Sequence, residues 1–210
     1  MDTNNRPYRF TRDWFSQTAA HWGQLFRNLQ WDFEQPRTLV EIGSYEGSSA
    51  VWMLEHLARH PDTRLYCLDS FEGSIEHNAA EKAELRQRFD YNINTSGKAA
   101  QVEVLAGRSD DGLVQLLSRG IRADFVYVDG SHQAADVLAD AILGWKLLKP
   151  GGLMIFDDYI WPVYQNQPLK NPKIAIDAFV NCHLDQLRFV VMPQRTQFGL
   201  LKLPPMEFTK

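Results

Sequence analysis

Cysteine is scarce in this sequence, with only Cys67 and Cys182 among 210 residues. Two thiols cannot supply the disulfide framework of a small secreted domain, and they fit a reducing compartment, so we expect a cytoplasmic protein. Long apolar runs are also missing, since none approaches the roughly 18 residues of a membrane span. The first residues, Met1–Asn5, lack the basic region and apolar core of a signal peptide. These absences argue against secretion and membrane insertion.

Positive charge is in deficit as well. The 22 lysines and arginines face 26 aspartates and glutamates, which leaves a formal net charge of −4. A broad nucleic-acid surface is therefore disfavoured, although a local basic patch is not. The apolar fraction of 44% and the charged fraction of 23% are typical of a soluble globular protein, and 210 residues suffice for one domain with a sizeable core. We expect a small-molecule partner, with no nucleic acid and no membrane.

The dinucleotide-binding pattern G-x-G-x-x-G is absent. In its place, residues 38–49 read T-L-V-E-I-G-S-Y-E-G-S-S, a short apolar strand, then Gly43 and Gly47, then two serines that open a helix. The local prediction is strand, glycine turn, helix. Glu41 stands before the turn and no residue in the turn is basic, so a cationic ligand is favoured over an anion.

Acidic residues also end other predicted strands. The strands Arg64–Asp69, Asp124–Asp129 and Leu153–Asp158 each finish on an acid, and the last finishes on two. In open α/β sheets the ligand crevice lies outside the carboxyl ends of the strands. These acids and Glu41 are therefore expected to converge on one edge of the sheet. That convergence is the strongest indication of a ligand site that the residues give by themselves.

Four stretches carry a family resemblance: the turn Glu41–Gly47, Val126–His132, Leu148–Gly152 and Asp157–Tyr159. They resemble the class I S-adenosylmethionine (SAM) methyltransferases. Within that class they are similar to the metal-dependent small-molecule O-methyltransferases, which include catechol, caffeoyl-CoA and macrolide-sugar enzymes. The resemblance covers about residues 38–159 and continues more loosely beyond them. SAM carries an ammonium and a sulfonium, which suits an acidic turn.

The resemblance implies a Rossmann-like α/β fold, a mostly parallel sheet with helices on both faces. The family closes this sheet with an antiparallel hairpin, for which Leu187–Met192 and Gln197–Leu203 are the candidate strands, joined around Pro193–Arg195. The methyltransferase domain is expected to occupy residues 37–210. Residues 1–36 form an N-terminal arm and helix, and the apolar spacing predicts that helix over Thr11–Leu29. It either packs on the sheet or on a second subunit of a homodimer, or it covers the site as a lid. A charged helix is also predicted over roughly Ala79–Asn92.

By the resemblance, eight residues are candidates to bind SAM: Glu41, Gly43, Ser44, Gly47, Asp69, Ser70, Ser109 and Asp129. The glycines permit a tight turn and a close approach of backbone to ligand. An acid at the end of the second strand, here Asp69, accepts hydrogen bonds from ribose hydroxyls, although it can also cap a turn. Ser109 is expected near the adenine, or it caps a helix before Asp110.

Three carboxylates are expected in one cleft, those of Asp129, Asp157 and Asp158. Two unit charges 4 Å apart repel by about 4 kcal/mol at an effective dielectric of 20, so something must offset them. A hard divalent cation is the simplest solution, Mg²⁺ first, and the resemblance assigns it these three ligands. Neighbouring residues on a strand face opposite sides, so both Asp157 and Asp158 can bind an ion only where the chain leaves strand geometry. Alternatively, one of them caps the following turn.

His132 follows Asp129 by three residues, at the mouth of the same crevice. A histidine can take a proton from a hydroxyl nucleophile near neutral pH, so His132 is the candidate catalytic base. The catechol-type enzymes that the sequence resembles have a lysine here, so the chemistry of the base differs. The alternative is a histidine that caps the next helix.

We therefore expect a SAM-dependent O-methyltransferase that acts on a small-molecule hydroxyl, assisted by a divalent metal and a histidine base. Four other functions stay open: oxidation of the cephalosporin-hydroxylase type, N-methylation of a small molecule, NAD-dependent oxidation, and SAM binding without catalysis. Glu41 and the missing dinucleotide pattern speak against NAD. Metal preference and a need for oxygen would separate the hydroxylase from the methyltransferase.

Overall fold

The computed structural model describes residues 8–74, 77–164, 166–193 and 196–205. The strands are β1 Thr38–Ile42, β2 Arg64–Asp69, β3 Val102–Ala106, β4 Ala123–Val128, β5 Leu148–Phe156, β6 Leu187–Val190 and β7 Phe198–Lys202. The helices are α1 Ser16–Asn28, α2 Ser48–His56, α3 Ala79–Ala83, α4 Leu85–Thr95, α5 Ser109–Ser118, α6 Ala134–Leu147 and α7 Pro172–Cys182. The first seven residues of the predicted arm lie outside the described residues, as do Gln194 and Arg195 of the predicted hairpin turn.

The described strands form one seven-stranded sheet in the order β3-β2-β1-β4-β5-β7-β6. The first five are parallel, and β7 runs antiparallel to both β5 and β6. The strand order reverses between β1 and β4, which is where open α/β sheets form their ligand crevice. The mostly parallel sheet with a C-terminal antiparallel pair is confirmed.

Two apolar cores sandwich this sheet, one on each face. One core contains buried residues of α1, α2 and α4, and the other contains those of α5, α6 and α7. On the first face, Trp22 of α1 is fully buried and packs edge-on against Phe125 and Tyr127 of β4, with ring centroids 5.4 and 4.7 Å apart. The aromatic side of α1 is therefore part of the core of the domain.

Two helices differ from the sequence prediction, and side chains explain both differences. The N-terminal helix begins at Ser16, because Asp13 accepts hydrogen bonds from the backbone N–H and hydroxyl of that serine. The predicted charged helix over residues 79–92 is divided into α3 and α4. Arg88 donates to the carbonyl of Glu81, which in an unbroken helix would accept the N–H of Leu85. No helix among the described residues combines the length and the apolar character needed to cross a bilayer.

Asp140 is a buried carboxyl group on α6, only 1% exposed. Neither of its oxygens meets the geometry of a hydrogen bond with a described residue. Burial raises its pKa from the usual 3.8 to about 7, although the nearby Ser109 hydroxyl lowers it somewhat. In the folded protein the group therefore stays protonated over a pH range in which the unfolded chain has already ionised it.

We expect Asp140 to make folding stability fall as pH rises. Because its folded pKa lies above the unfolded one, the loss begins near 3.8 and is complete once pH has passed about 7. Asp140→Asn removes that loss, so its melting temperature should exceed the wild-type value at mildly alkaline pH and approach it in acid. Thermal melts across this range measure the effect, with the exposed Asp185→Asn as control. A difference that does not change with pH would contradict this account.

Candidate active site

A cavity of about 1040 Å³ opens at the carboxyl ends of β1, β2, β4 and β5. The predicted site residues that line it are Gly43, Ser44, Asp69, Ser70, Ser109, Asp129, His132, Asp157 and Asp158. The N-terminal segment supplies another side of the cavity, including Trp14 and His21. The expected convergence of the strand ends on one space is therefore what the structure shows.

The glycine turn is built by contacts between strands. Gly43 has φ +84°, and a Cβ there would lie only 2.1 Å from the carbonyl oxygen of Asp129. The close approach that requires glycine is thus to the backbone of the protein itself. The next two backbone N–H groups, of Ser44 and Tyr45, donate to one oxygen of Asp69 at 2.7 and 2.8 Å. The other oxygen accepts the N–H of Phe71 at 2.6 Å, so Asp69 ties the turn to the end of β2.

Glu41 lies beneath the turn rather than at the cavity surface. It is 0% exposed, accepts a hydrogen bond from the Ser49 hydroxyl, and lies 3.6 Å from the Cys67 sulfur. Burial raises its pKa from 4.5 to about 7, against the effect of the nearby hydroxyls. Gly47 precedes α2 with φ +82°. In the structure, Glu41 supports the start of α2 and the turn from below.

Tyr127 joins two of the predicted acids. Its hydroxyl lies 2.9 Å from Asp129 Oδ2 and 2.5 Å from Asp157 Oδ2. The pairing of β4 with β5 places Val128 opposite Phe156, so the acids that follow these strands are neighbours. Burial, and then the charges of the neighbouring aspartates, raise the pKa of both Asp129 and Asp157 above the ordinary range.

Asp158 faces a different partner. Its φ of +55° takes the chain out of strand geometry directly after Asp157. Side chains of adjacent residues can face the same site only where the chain leaves strand geometry in this way. The Asp158 Oδ2 atom lies 2.8 Å from His132 Nε2. The ring of His132 stacks on Trp161 at a centroid distance of 3.8 Å. The imidazole is therefore held by a carboxylate on its edge and an indole on its face.

The three acids do not form an ion site as they stand. Carboxylate oxygens suit a hard divalent cation, but Asp129 and Asp157 are directed at Tyr127 and Asp158 at His132. Within the described parts of the chain, no group of three or more His, Cys, Asp or Glu side chains is placed to hold a metal ion. The observed arrangement is a set of hydrogen bonds.

Sequence reasoning missed three side chains behind these acids. Gln197 donates to Asp157 Oδ2 at 2.8 Å, and its own oxygen accepts Trp22 Nε1–H at 2.9 Å. Trp22 and Gln197 are 175 residues apart, so no local sequence pattern predicts their contact. Tyr127 could have been found, because residues two apart on a strand share a face and Asp129 follows it by two.

Residues 40–159 match a family model described as a methyltransferase domain, which is more than half of the chain. The chain therefore belongs to the methyltransferase-domain family. Bovine (Bos taurus) catechol O-methyltransferase is 29% identical over 159 residues, 74% of this chain and 53% of that protein. An uncharacterized protein of Acanthamoeba polyphaga mimivirus is 27% identical over 148 residues, 69% of this chain and 62% of that one. The chain thus spans less than two thirds of the length of these curated relatives.

The fold is shared with solved O-methyltransferase structures. One is TomG from Streptomyces achromogenes, an O-methyltransferase involved in tomaymycin synthesis that was crystallised in complex with SAM. It superposes with a TM-score of 0.64 and 20% identity, over 90% of this chain and 80% of that chain. At this identity the likeness concerns the fold alone, and it confirms the Rossmann-like class I methyltransferase fold expected from the sequence.

Proposed function

We propose that the protein is a SAM-dependent O-methyltransferase that acts on the hydroxyl of a small molecule. The observation that carries this proposal is the cavity, which places the glycine turn and Asp69 in the same space as His132. Its volume of about 1040 Å³ lies near the upper end of protein ligand sites, which are typically about 300–1,000 Å³. There is room for a nucleoside cofactor with an acceptor beside it. Membership of the methyltransferase-domain family supports the proposal.

On the cofactor side, the proposal assigns the ribose to Asp69. Its Oδ2 atom already accepts two backbone N–H groups, whereas Oδ1 accepts, among the residues that the structure describes, only that of Phe71. A carboxylate oxygen has about two acceptor positions, so Oδ1 keeps one for a ribose hydroxyl. Ser44 and Ser70 line the cavity beside it, and Ser109 lines it at the start of α5. The adenine is assigned to the Ser109 side.

On the acceptor side, the proposal assigns the base to His132. A neutral imidazole that donates Nε2–H to Asp158 keeps its lone pair on Nδ1. The acceptor hydroxyl attacks the methyl carbon of SAM, the C–S electrons remain on sulfur to give S-adenosylhomocysteine (SAH), and the hydroxyl proton passes to Nδ1. Asp158 stabilises the imidazolium that results. The stacked Trp161 fixes the plane of the ring.

The proposal also includes a divalent metal ion that assists the reaction. Asp129, Asp157 and Asp158 would hold a divalent cation, most simply Mg²⁺, which would favour ionisation of the acceptor hydroxyl. Support comes from the raised pKa of Asp129 and Asp157, because such a pair needs either a proton or a cation. Their present contacts with Tyr127 and His132 would have to change to admit the ion.

The described activities of two relatives favour O-methylation over the alternative reactions. Catechol O-methyltransferase and TomG are both described as O-methyltransferases, which places O-methylation ahead of N-methylation and of cephalosporin-hydroxylase-type oxidation. His132 is suited to removing the proton of a hydroxyl group. A neutral amine can attack the methyl group before it loses a proton, so N-methylation has less need of such a base.

The proposal is tested by following transfer of a labelled methyl group from SAM to phenols, catechols and sugar hydroxyls. We expect SAH to bind the purified protein and NAD not to bind, and label to appear on the oxygen of at least one acceptor class. The same assays in chelator, with and without added Mg²⁺, decide the metal. Absence of SAH binding would contradict the proposed function, and full turnover in excess chelator would remove the metal from it.

Asp69→Ala is expected to weaken SAH binding by roughly 10–150-fold, the equivalent of about 1.5–3 kcal/mol for hydrogen bonds to a charged group. The carboxylate orders the turn and meets the ribose, and both functions are lost together. Titration calorimetry measures the change, with the exposed Glu72→Ala at the rim of the cavity as control. Unchanged affinity in Asp69→Ala would refute the ribose assignment.

A further inference from the structure

Residues 8–12, which we call the strap, cross the rim of the cavity ahead of α1. Phe10 and Arg12 of the strap line the cavity. The strap is attached along its length by Tyr8 Oη to Glu55 at 2.6 Å, Thr11 N to Glu46 at 2.6 Å and Arg12 Nε to Glu81 at 2.7 Å. Each of these contacts ends on an acid of the methyltransferase domain.

Glu46 is the point at which the glycine turn holds the strap. It lies between Tyr45 and Gly47 and is 1% exposed. Its carboxylate accepts the Thr11 N–H at 2.6 Å, the Thr11 hydroxyl at 2.9 Å and Arg88 Nε at 2.6 Å. A carboxylate so deeply buried is costly unless it is fully hydrogen-bonded. Release of the strap would remove two of these three donors.

Asn92 of α4 fastens the same two segments through their backbones. Its side chain is fully buried, and its amide donates to the carbonyls of Glu46 at 2.8 Å and Arg9 at 3.1 Å. Its oxygen accepts the N–H of Arg9 at 2.7 Å. The Asn92 side chain thus hydrogen-bonds both the backbone N–H and the backbone carbonyl of Arg9 in the strap, and the backbone carbonyl of Glu46 in the turn. The strap and the turn are therefore held by the same side chain.

The turn needs such support because of its own backbone. Tyr45 has φ +48°, a left-handed conformation that a non-glycine residue keeps only when its surroundings hold it. Its N–H is bound by Asp69, and its ring contacts those of His77 at 4.3 Å and Trp14 at 5.4 Å, which are themselves 5.3 Å apart. Trp14 lies two residues beyond the strap and remains 51% exposed, so its contact with the Tyr45 ring depends on the strap staying in place.

We propose that Glu46 is a positioning residue for the cofactor: by holding the strap, it keeps the glycine turn in the conformation that binds SAM. Strap closure and cofactor binding then favour each other. The proposal rests on the proposed function, since it concerns the same cofactor site. By thermodynamic linkage, the factor by which the closed strap tightens SAM equals the factor by which SAM tightens the strap.

The first test is titration of SAH into the full-length protein and its variants. Glu46→Gln should raise the Kd by roughly 10–150-fold, the range for hydrogen bonds to a charged group. Thr11→Val, which loses only the hydroxyl contact, should raise it less, and Thr11→Ser, which keeps that contact, should bind as the wild type does. At saturating SAM, kcat should change little while KM for SAM rises, which a general loss of structure would not produce.

The second test needs no substitution. Hydrogen exchange of the Arg9 and Thr11 amides, which donate to Asn92 and Glu46, should slow when SAH binds the wild-type protein, and this protection should be lost in Glu46→Gln. If SAH protects Ser44 and Tyr45 but leaves Arg9 and Thr11 unchanged, the coupling does not exist. Equal SAH affinity in wild type and Glu46→Gln would also overturn this proposal alone. Failure of the wild type to bind SAH would overturn the proposed function and this proposal with it.

Discussion

His132→Ala is expected to lower kcat for methyl transfer by roughly 10²–10⁴-fold, the usual contribution of a positioned general base. The variant should keep its affinity for SAH, because the contacts of the imidazole are with Asp158 and Trp161 and not with the glycine turn. Methyl-transfer assays at saturating SAM give the rate, and calorimetry gives the SAH affinity. The two readouts separate a lost base from a disturbed cofactor site.

The defect of His132→Ala should shrink as pH rises, since an acceptor hydroxyl that ionises unaided no longer needs a base. Trp161→Phe is the matched control. It keeps the His132 base and an aromatic ring that can stack on it, so it should lose far less activity. A defect that is constant across pH and confined to KM for the acceptor would make His132 a binding residue. Asp158→Asn tests the orientation separately, since it keeps the shape of the carboxylate and removes its charge.

The sheet could be predicted because its signals are local. Short apolar runs such as Leu39–Ile42 and Phe125–Val128 are buried on both faces of the sheet, and parallel strands of this kind show up as continuous hydrophobic stretches. The helix bounds were less accurate, since they depend on individual side-chain contacts. Asp13 fixes the start of α1, and Arg88 occupies the carbonyl of Glu81 at the break between α3 and α4. Neither contact can be predicted from the spacing of apolar residues.

The candidate site was predictable only as far as strand ends reveal it. The topology of the sheet brings Asp69, Asp129 and Asp157 to one cavity, and a sequence that shows the strands therefore shows the cavity. What each acid contacts is decided across the fold. Glu41 is buried in the core, and Asp157 accepts a hydrogen bond from Gln197, 40 residues further along the chain. Such contacts follow from packing between distant segments, which one sequence does not display.

The second large effect is expected at Gly43, on folding rather than on turnover. A Cβ at this position would lie 2.1 Å from the Asp129 carbonyl oxygen and 2.6 Å from the Gly130 Cα. The backbone that directly follows β4 cannot move aside as the end of a flexible side chain can. Gly43→Ala should therefore destabilise the protein by more than about 4 kcal/mol, a loss seen only for severe structural conflicts, or prevent it from folding.

Gly151→Ala is the control that separates this overlap from backbone conformation. Gly151 has a similar φ of +80°, but a Cβ there would meet no atom of the described residues within 4 Å. Its substitution should cost only the conformational term of about 1–2 kcal/mol for a left-handed residue. Urea denaturation of both variants measures the difference. If the two alanine substitutions cost the same, conformation alone explains Gly43; a much larger loss at Gly43 means that contact with Asp129 requires glycine, whether or not a cofactor is bound.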